Sequence, residues 1–539
     1  MNAFTRRPLA WLTLLALAAC SKPADVPPTA SMPASAAVQA SGIAWQQAAS
    51  DADVDAAFAR AAAEHKPLFV YWGAKWCPPC NQVKATLFNR ADFIERSRAF
   101  VPVYVDGDSP GAQKLGSRFK VRGYPTLLLF TPDGREVTRL PGEVDAQQIT
   151  QVLTLGMNAQ RPVKAVLADA RSGTAGLAAN LTANDWRLLA FYSWETDEQQ
   201  LVPKPDLPAL LKQLASACPA EQADSAARLM LRAAALADAK GAPRADLREA
   251  TLALLADARA ARAQMDALTN YAADIVRAES VAKSPERTAL VSTFDAALAR
   301  LAGDTTLSRA DRLMALQARV DLVHIDVPKD APRATRPALP AALLAEVREQ
   351  VARNDREITD GYERQAVITS AADLLEQAGL MDESDALLKA NLPKSHSPYY
   401  LMSQLGSNAR KLGRNDEALR WYEEAFARSE GPATRLQWGA QYVTALVELA
   451  PQDEARVERA VTRMIDEAAL DKGAFDGRSA RSLARVDRQL VQWNRDGRHS
   501  AVLGRLRAQL QPVCGRLDGE PAARAACDGT FKQAGKVSA

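Results

Sequence analysis

The 539-residue chain is poor in the residues that mark several common protein classes. It has four histidines, and its charges nearly cancel, with 67 Lys and Arg against 64 Asp and Glu. Because basic and acidic residues are interspersed, the sequence does not favour a nucleic-acid partner. We expect no bound cofactor, since no phosphate-binding Gly-rich loop stands out, and no metal site, since the histidines lack ligand spacing; no Ser-His-Asp grouping stands out either. The histidines are scattered without ligand spacing: His65, His324, His396 and His499.

Aromatic residues are also scarce, at 6% of the chain, whereas 47% of the residues are hydrophobic and 24% are charged. These fractions are typical of soluble globular proteins and disfavour wholesale disorder, a collagenous repeat and a polytopic membrane protein. The abundance of Ala, Leu, Arg and Glu indicates packed helices rather than a β-sandwich. At about 150 residues per domain, the length predicts roughly three or four domain-sized pieces.

The longest apolar run near the N-terminus, Leu9 to Ala19, is too short to cross a bilayer as a helix but has the length of a signal-peptide core. It ends in Leu-Ala-Ala-Cys20, which resembles the lipobox of bacterial lipoproteins, where the cysteine becomes the lipidated first residue. We therefore predict a signal peptide over residues 1–19, with an ordinary signal and an incidental Cys20 as the alternative.

A segment rich in Pro, Ala and Ser follows the predicted lipidation site and cannot bury enough surface to order itself. We interpret residues 20–42 as a disordered tether. The lipoprotein resemblance, with Ser21 after the cysteine, implies a periplasm-facing protein at the outer membrane, attached only by its lipid. That compartment permits disulfides, so the remaining cysteines are candidate redox partners.

We expect the reactive site to follow an apolar run over residues 68–72 that is typical of a buried strand. After this run come Trp76-Cys77-Pro78-Pro79-Cys80 and a helical pattern through Val83, Leu87, Phe93 and Ile94. At a helix start, unpaired backbone amides and the helix dipole favour the thiolate of Cys77. This thiolate can attack a partner's disulfide, and Cys80 can then resolve the mixed disulfide. The two prolines restrict the turn between the cysteines.

Together with Gly123-Tyr124-Pro125-Thr126, this motif resembles the thioredoxin superfamily over residues 43–159. The resemblance implies an α/β thioredoxin-like fold. It also implies that Pro125 is a cis proline beside the dithiol that shapes a peptide-binding groove. Within the superfamily the chain looks most like periplasmic thiol reductase domains, particularly the C-terminal domain of the transmembrane reductase that carries electrons across the inner membrane. Four residues are expected to support the cysteines: Trp76, Pro78, Pro79 and Tyr124.

The chain departs from the thioredoxin pattern at two positions. Tyr71 stands where thioredoxins carry a buried aspartate, and a tyrosine with an ordinary pKa near 10 is a poor base at neutral pH. Asn81 stands where a lysine usually follows the second cysteine. Two alternatives to a redox-active pair are half of a four-cysteine zinc site, for which no second Cys-x-x-Cys exists, and an inert structural disulfide.

Three cysteines lie outside the motif and the signal. Cys514 and Cys527 are close in sequence across a Gly-containing turn, and we predict a structural disulfide worth about 3 kcal/mol in the chain-entropy model. Cys218 is left over. It is interpreted as a small buried hydrophobic residue on a helix, with exchange against Cys77 as the alternative.

Beyond the thioredoxin-like segment the pattern is almost continuously helical. Proline-rich breaks at 203–208, 241–243 and 328–340 suggest a helical region over 160–335 and a second over 336–539. In the second, Gly379 and Gly413 are 34 residues apart, as are Pro398 and Pro432, which is the tetratricopeptide period. We therefore expect a large all-α region of tetratricopeptide-like helical hairpins.

The expected function is periplasmic thiol-disulfide exchange, most simply protein-disulfide reduction, with protein or peptide substrates and an upstream redox partner. The helical region would bind or position the client, or it would only pack against the redox domain and stabilise it. Oxidase and isomerase activities share the motif and differ in redox potential. The rival class is a binding or assembly lipoprotein in which the dithiol is structural or sensory.

Overall fold

The computed structural model describes residues 42–142, 145–159, 161–172, 181–194, 197, 201–237, 244–328, 336–517 and 520–531. The predicted signal peptide, Cys20 and all but the last residue of the predicted tether lie outside these residues, as does the predicted break at 241–243. Within the described ranges, no helix combines the length and apolar character needed to cross a membrane.

The N-terminal part is a five-stranded mixed sheet with helices on both faces. The strand order is β1-β3-β2-β4-β5; β1 and β2 run parallel to β3, and β4 runs antiparallel to β2 and β5. The strands are β1 (Gln46–Gln47), β2 (Leu68–Gly73), β3 (Val101–Asp106), β4 (Thr126–Phe130) and β5 (Glu136–Pro141). The helices are α1 (Asp51–Glu64), α2 (Pro78–Ala85), α3 (Ala91–Arg96), α4 (Ala112–Arg118) and α5 (Ala146–Met157).

The central strand β2 is apolar throughout because both of its faces are buried. Leu68, Val70 and Trp72 lie in the core on the side of α1 and α4. Phe69 and Tyr71, which alternate with them, lie in the core on the opposite side, with residues of α2 and α5. The strand is thereby fixed in the middle of the domain, and its C-terminal end leads directly to the cysteine motif.

The helical pattern after the motif does not form one helix. The structure divides it into α2 and α3, separated by residues 86–90. Leu87 and Phe88 are adjacent in sequence, and both are buried in the same core. Adjacent residues in an α-helix point about 100° apart, since the helix has about 3.6 residues per turn, so a break in the helix lets both side chains enter the core.

The remainder of the described chain is helical, which confirms the expected α/β domain followed by a large all-α region. Its helices are α6 (Val163–Ser172), α7 (Ala183–Phe191), α8 (Leu207–Ala217), α9 (Ala223–Ala235), α10 (Ala245–Ala256), α11 (Ala258–Ala263), α12 (Met265–Glu279), α13 (Pro285–Gly303), α14 (Arg309–Val323), α15 (Ala341–Glu357), α16 (Gly361–Gln377), α17 (Met381–Asn391), α18 (Pro398–Lys411), α19 (Asn415–Arg428), α20 (Pro432–Leu449), α21 (Glu454–Leu470), α22 (Gly477–Trp493), α23 (Ser500–Gly515) and α24 (Pro521–Gly529).

The 34-residue interval recurs in the helix positions. Helices α17 and α19 begin 34 residues apart, and so do α18 and α20. Gly379 and Gly413 follow α16 and α18 with φ values of +85° and +72°, a backbone conformation that glycine adopts without cost. A Cβ on Gly406 would lie 2.9 Å from the Tyr422 ring, so a glycine lets α18 and α19 approach closely.

Besides a small cluster of Ala372, Leu388, Leu401 and Leu405, two large apolar clusters organise the described part of the helical region. One joins residues from α9 to α16 into a core of their own. The other is shared between the sheet domain, α6 to α9 and α18 to α24, and it includes Trp76, Cys77 and Cys80. The helical region therefore packs on the end of the sheet domain that carries the cysteine motif.

Candidate redox site

The cysteine motif forms the start of α2. Cys77 is the N-cap residue, with extended backbone, and the amide of Cys80 donates a hydrogen bond to its Sγ at 3.2 Å. Pro78 and Pro79 occupy the first two helical positions, where a missing N–H leaves no donor unsatisfied. Once the pair is reduced, the helix dipole and this amide favour a thiolate on Cys77.

Cys77 and Cys80 are joined by a disulfide, with their Cα atoms 5.2 Å apart. Both are buried, Cys77 with 3% and Cys80 with 0% of its surface exposed. The Tyr124–Pro125 peptide bond is cis, and Pro125 is buried beside Gly142. The oxidised pair is thus enclosed by protein.

Trp76, immediately before the first cysteine, lies in an aromatic cluster built largely by the helical region. Its ring stacks on Tyr400 at 5.8 Å and meets Trp438 edge-on at 4.9 Å, centroid to centroid. Its indole N–H donates to Asp108 Oδ2 and to Thr434 Oγ1, both at 2.8 Å. The residue next to the candidate nucleophile is therefore held by two helices, α18 and α20.

Arg478, on α22, completes this contact. Its guanidinium forms a buried ion pair with Asp108 and lies 5.0 Å from the ring centroids of both Trp76 and Tyr124. Tyr124 in turn stacks on Trp72 of β2. The two aromatic residues predicted to support the cysteines are thus joined by a cation from the distant end of the chain.

Asn81 and His396 form a second link between the motif and the helical region. The Asn81 amide donates to the carbonyl oxygens of Lys75 and Cys77, each at 2.8 Å, and its Oδ1 lies 3.2 Å from His396 Nε2. Burial and the nearby charges of Lys75 and Lys84 lower the pKa of His396 to about 4, so the ring is neutral at pH 7. Because a carboxamide oxygen only accepts, Nε2 carries the proton.

The acid–base groups behind the motif differ from the thioredoxin pattern. Burial raises the pKa of Tyr71 well above 10, so this hydroxyl, 3.5 Å from the Cys80 carbonyl, is no base. Asp106, at the end of β3 and paired in register with Gly73, is a half-buried carboxyl whose pKa is raised to about 6 by partial burial and by the charge of Asp108. Sequence reasoning missed Asp106, although its position after an apolar strand could have indicated it.

The other cysteines are separate from this site. Cys514 of α23 and Cys527 of α24 form a disulfide with a Cα–Cα distance of 5.5 Å, and both are buried. Cys218, at the end of α8, is a half-buried free thiol whose pKa is raised to about 11 by burial, so it is protonated at neutral pH. Within the described ranges, no three His, Cys, Asp or Glu side chains are grouped to hold a metal ion.

Comparison with known proteins agrees with this fold. A family model described as "Thioredoxin-like domain" matches residues 54–156. The chain is 30% identical over 113 residues to "Thiol:disulfide interchange protein DsbD 1" of Pseudomonas aeruginosa, covering 20% of this chain and 19% of that protein. It is 27% identical over 97 residues to a "Protein disulfide-isomerase" of Triticum aestivum, 18% of this chain and 19% of that protein.

These relatives are similar only in part, since the chain spans about a fifth of the length of each. "Thioredoxin 1" of Chlorobaculum tepidum is covered more fully: the chain is 33% identical to it over 85 residues, 16% of this chain but 79% of that protein. The resemblance predicted from the cysteine motif is thereby confirmed, and through this segment the chain belongs to the thioredoxin family.

Proposed function

We propose that the protein carries out thiol-disulfide exchange, with Cys77 as the attacking thiolate and Cys80 as the resolving thiol. The observation that carries this proposal is the Cys77–Cys80 pair at the first turn of α2, with the Cys80 amide directed at Cys77 Sγ within a thioredoxin fold. The names of the relatives, thiol:disulfide interchange protein and protein disulfide-isomerase, support the same chemistry.

In the reducing direction, the Cys77 thiolate attacks one sulfur of a client disulfide, forming a mixed disulfide and releasing one client thiolate. Cys80 loses its proton and attacks Cys77 Sγ, which closes the Cys77–Cys80 disulfide and releases the second client thiolate. Two electrons pass from the dithiol to the client, and the two protons lost by the cysteines balance those taken up by the client. A dithiol donor must then reduce the pair again.

We further propose that the chain is a periplasm-facing lipoprotein anchored through Cys20 at the outer membrane and that it acts as a protein-disulfide reductase. The lipobox resemblance and the two disulfides, which suit an oxidising compartment, support this location. The tetratricopeptide-like hairpins over 336–539 would bind or position the client, and Pro125 would shape the groove beside the dithiol.

Trapping tests the proposed roles. In a full chain with Cys218 replaced by serine, C80S leaves Cys77 able to attack but unable to be released. Expression in cells should therefore accumulate adducts that disappear when a gel is run with reductant, while the matched C77S/C80S variant forms none. If C80S also forms none, the assignment of Cys77 as nucleophile is wrong.

A redox titration of the chain that keeps Cys77 and Cys80, with Cys20 and Cys218 replaced by serine, tests the direction of electron flow. By analogy with thioredoxin-like proteins, a midpoint below about −230 mV would support a reductase, whereas a midpoint near −120 mV would indicate an oxidant. Alkylation of the cysteines followed by mass measurement reports the reduced fraction at each potential.

The burial of both cysteines favours a second candidate, a helical-repeat binding or assembly protein in which the disulfide is structural or sensory. The two functions differ in their need for the thiol. If a C77A chain supports the cellular phenotype as well as the wild type, the binding function is correct and the enzymatic one is not.

A further inference from the structure

Around the redox site, the backbone of the helical region approaches the sheet domain so closely that a Cβ atom would clash. A Cβ on Gly431, just before α20, would lie 2.7 Å from both the Cβ and the carbonyl oxygen of Asp108. A Cβ on Gly477, the first residue of α22, would lie 2.7 Å from Gln113 Oε1 and 3.0 Å from the Gln113 carbonyl oxygen. The backbones at Gly431 and Gly477 therefore lie too close to the β3–α4 loop and to the first turn of α4 to accept any side chain.

Hydrogen bonds fix the same contact in one register. Asp471 Oδ1 accepts from the Gly111 amide at 2.7 Å, and Gln113 Oε1 accepts from the Arg478 amide at 2.7 Å. A third bond, from Gln365 Nε2 to the Trp76 carbonyl at 3.3 Å, ties α16 to the motif. An interface with paired backbone groups and native packing is a defined arrangement rather than a loose association.

This contact encloses the reacting atoms. Cys77 and Cys80 belong to the same apolar cluster as Tyr399, Met402 and Trp438 of the helical region. Thiol-disulfide exchange needs a sulfur of the client to reach Cys77 Sγ, and the closed contact leaves 3% of Cys77 exposed for that approach. The surfaces that enclose Cys77 come from α16, α18, α20 and α22 and the loops before them, here called the cover.

We propose that the cover opens and closes over the dithiol, and that Trp438 and Arg478, by holding Trp76, determine which clients reach Cys77. The inference rests on the proposed exchange function and adds a way in which access to the dithiol is regulated. A client can shift the cover only by binding the open form better than the closed one. A client must therefore bind the surface around Trp76, Tyr124 and Asp108, which Trp438 and Arg478 cover in the closed form. The rate with any client equals the rate of the open form multiplied by the fraction of molecules that are open.

Wedge substitutions test the cover without touching the motif. G431A and G477A add a single methyl group in the closed contact. G413A is the matched control, because Gly413 also has positive φ, +72° against +81° and +49°, but nothing lies within 4 Å of its added Cβ. All are made in the full chain with Cys20 and Cys218 replaced by serine, and circular dichroism checks that each folds.

The readout is the labelling rate of Cys77 in the reduced protein with iodoacetamide and with a maleimide carrying a 5 kDa polyethylene glycol. We expect the wild type and G413A to react slowly with the large reagent. We expect G431A and G477A to react at least about tenfold faster with it, which corresponds to about 1.4 kcal/mol in the opening equilibrium. Reduction of the insulin disulfides should accelerate in the same order.

Rapid labelling of the wild type by the large reagent overturns the proposal, and this result does not depend on whether any variant folds. Equal labelling rates in the folded wedge variants and G413A also overturn it. Labelling does not depend on exchange. If the wedge variants expose Cys77 but C80S still traps no client, the exchange function fails while the cover is supported.

Discussion

Replacing Arg478 by methionine removes the cation that joins Asp108 to the rings of Trp76 and Tyr124. The side chains of Arg478 and Asp108 are 13% and 8% exposed. Loss of one partner from a buried pair costs about 3–5 kcal/mol because the other charge stays buried without its counter-ion. Within the described residues, the Trp76 indole is the one side-chain donor that Asp108 retains, so we expect a cost near the middle of that range.

Opening of the cover limits the free-energy cost of R478M. If the sheet domain and the cover separate, water solvates Asp108. The free-energy cost of R478M therefore cannot exceed the free energy of opening the cover plus the packing that the Arg478 side chain provides. We therefore expect R478M to lower the urea midpoint and to accelerate labelling of Cys77 together. The double variant D108N/R478M, which has no charge left to bury, should recover most of both effects, as a double-mutant cycle would report.

A cost of less than about 1 kcal/mol for R478M, the value of an exposed ion pair, would refute this reasoning. So would additive effects of D108N and R478M, because additivity would mean that the two side chains do not interact.

Two further predictions concern groups behind the motif. H396A leaves the buried Asn81 carbonyl oxygen without its donor and should cost about 1–3 kcal/mol in urea unfolding. H396Q keeps an N–H donor and should cost less. Equal losses in the two variants would contradict the hydrogen bond between His396 and Asn81. Asp106 has a folded-state pKa of about 6 against an ordinary value of 3.8, so the folded state binds more protons between these values. Stability should fall as pH rises through that window and stay lower above it. D106N should reduce this fall in unfolding curves from pH 4 to 8 without removing it, because burial also raises the pKa of Glu279 to about 7 and that of Asp321 to about 6. An unchanged slope would show that Asp106 does not contribute, the nearby charges being Asp108, Lys84 and Arg478.

The sequence by itself determined the parts of the protein that depend on neighbours along the chain. The apolar run at 68–72 predicted β2, because a strand buried on both faces has no polar positions. Cys77 could be assigned to a helix N-terminus because an N-cap and the prolines after it are set within a single turn.

Tertiary structure alone decided how the site is enclosed. Trp76 meets Trp438, Asp108 meets Arg478 and Asn81 meets His396 across more than 300 residues of chain, and no periodicity links such positions. His396 had no ligand spacing in the sequence, since its partner is brought to it only by the packing of the helical region. Local patterns determine which elements form, whereas the contacts between distant elements depend on the complementary shapes of whole faces. The dithiol was therefore predictable from the sequence, and its cover was not.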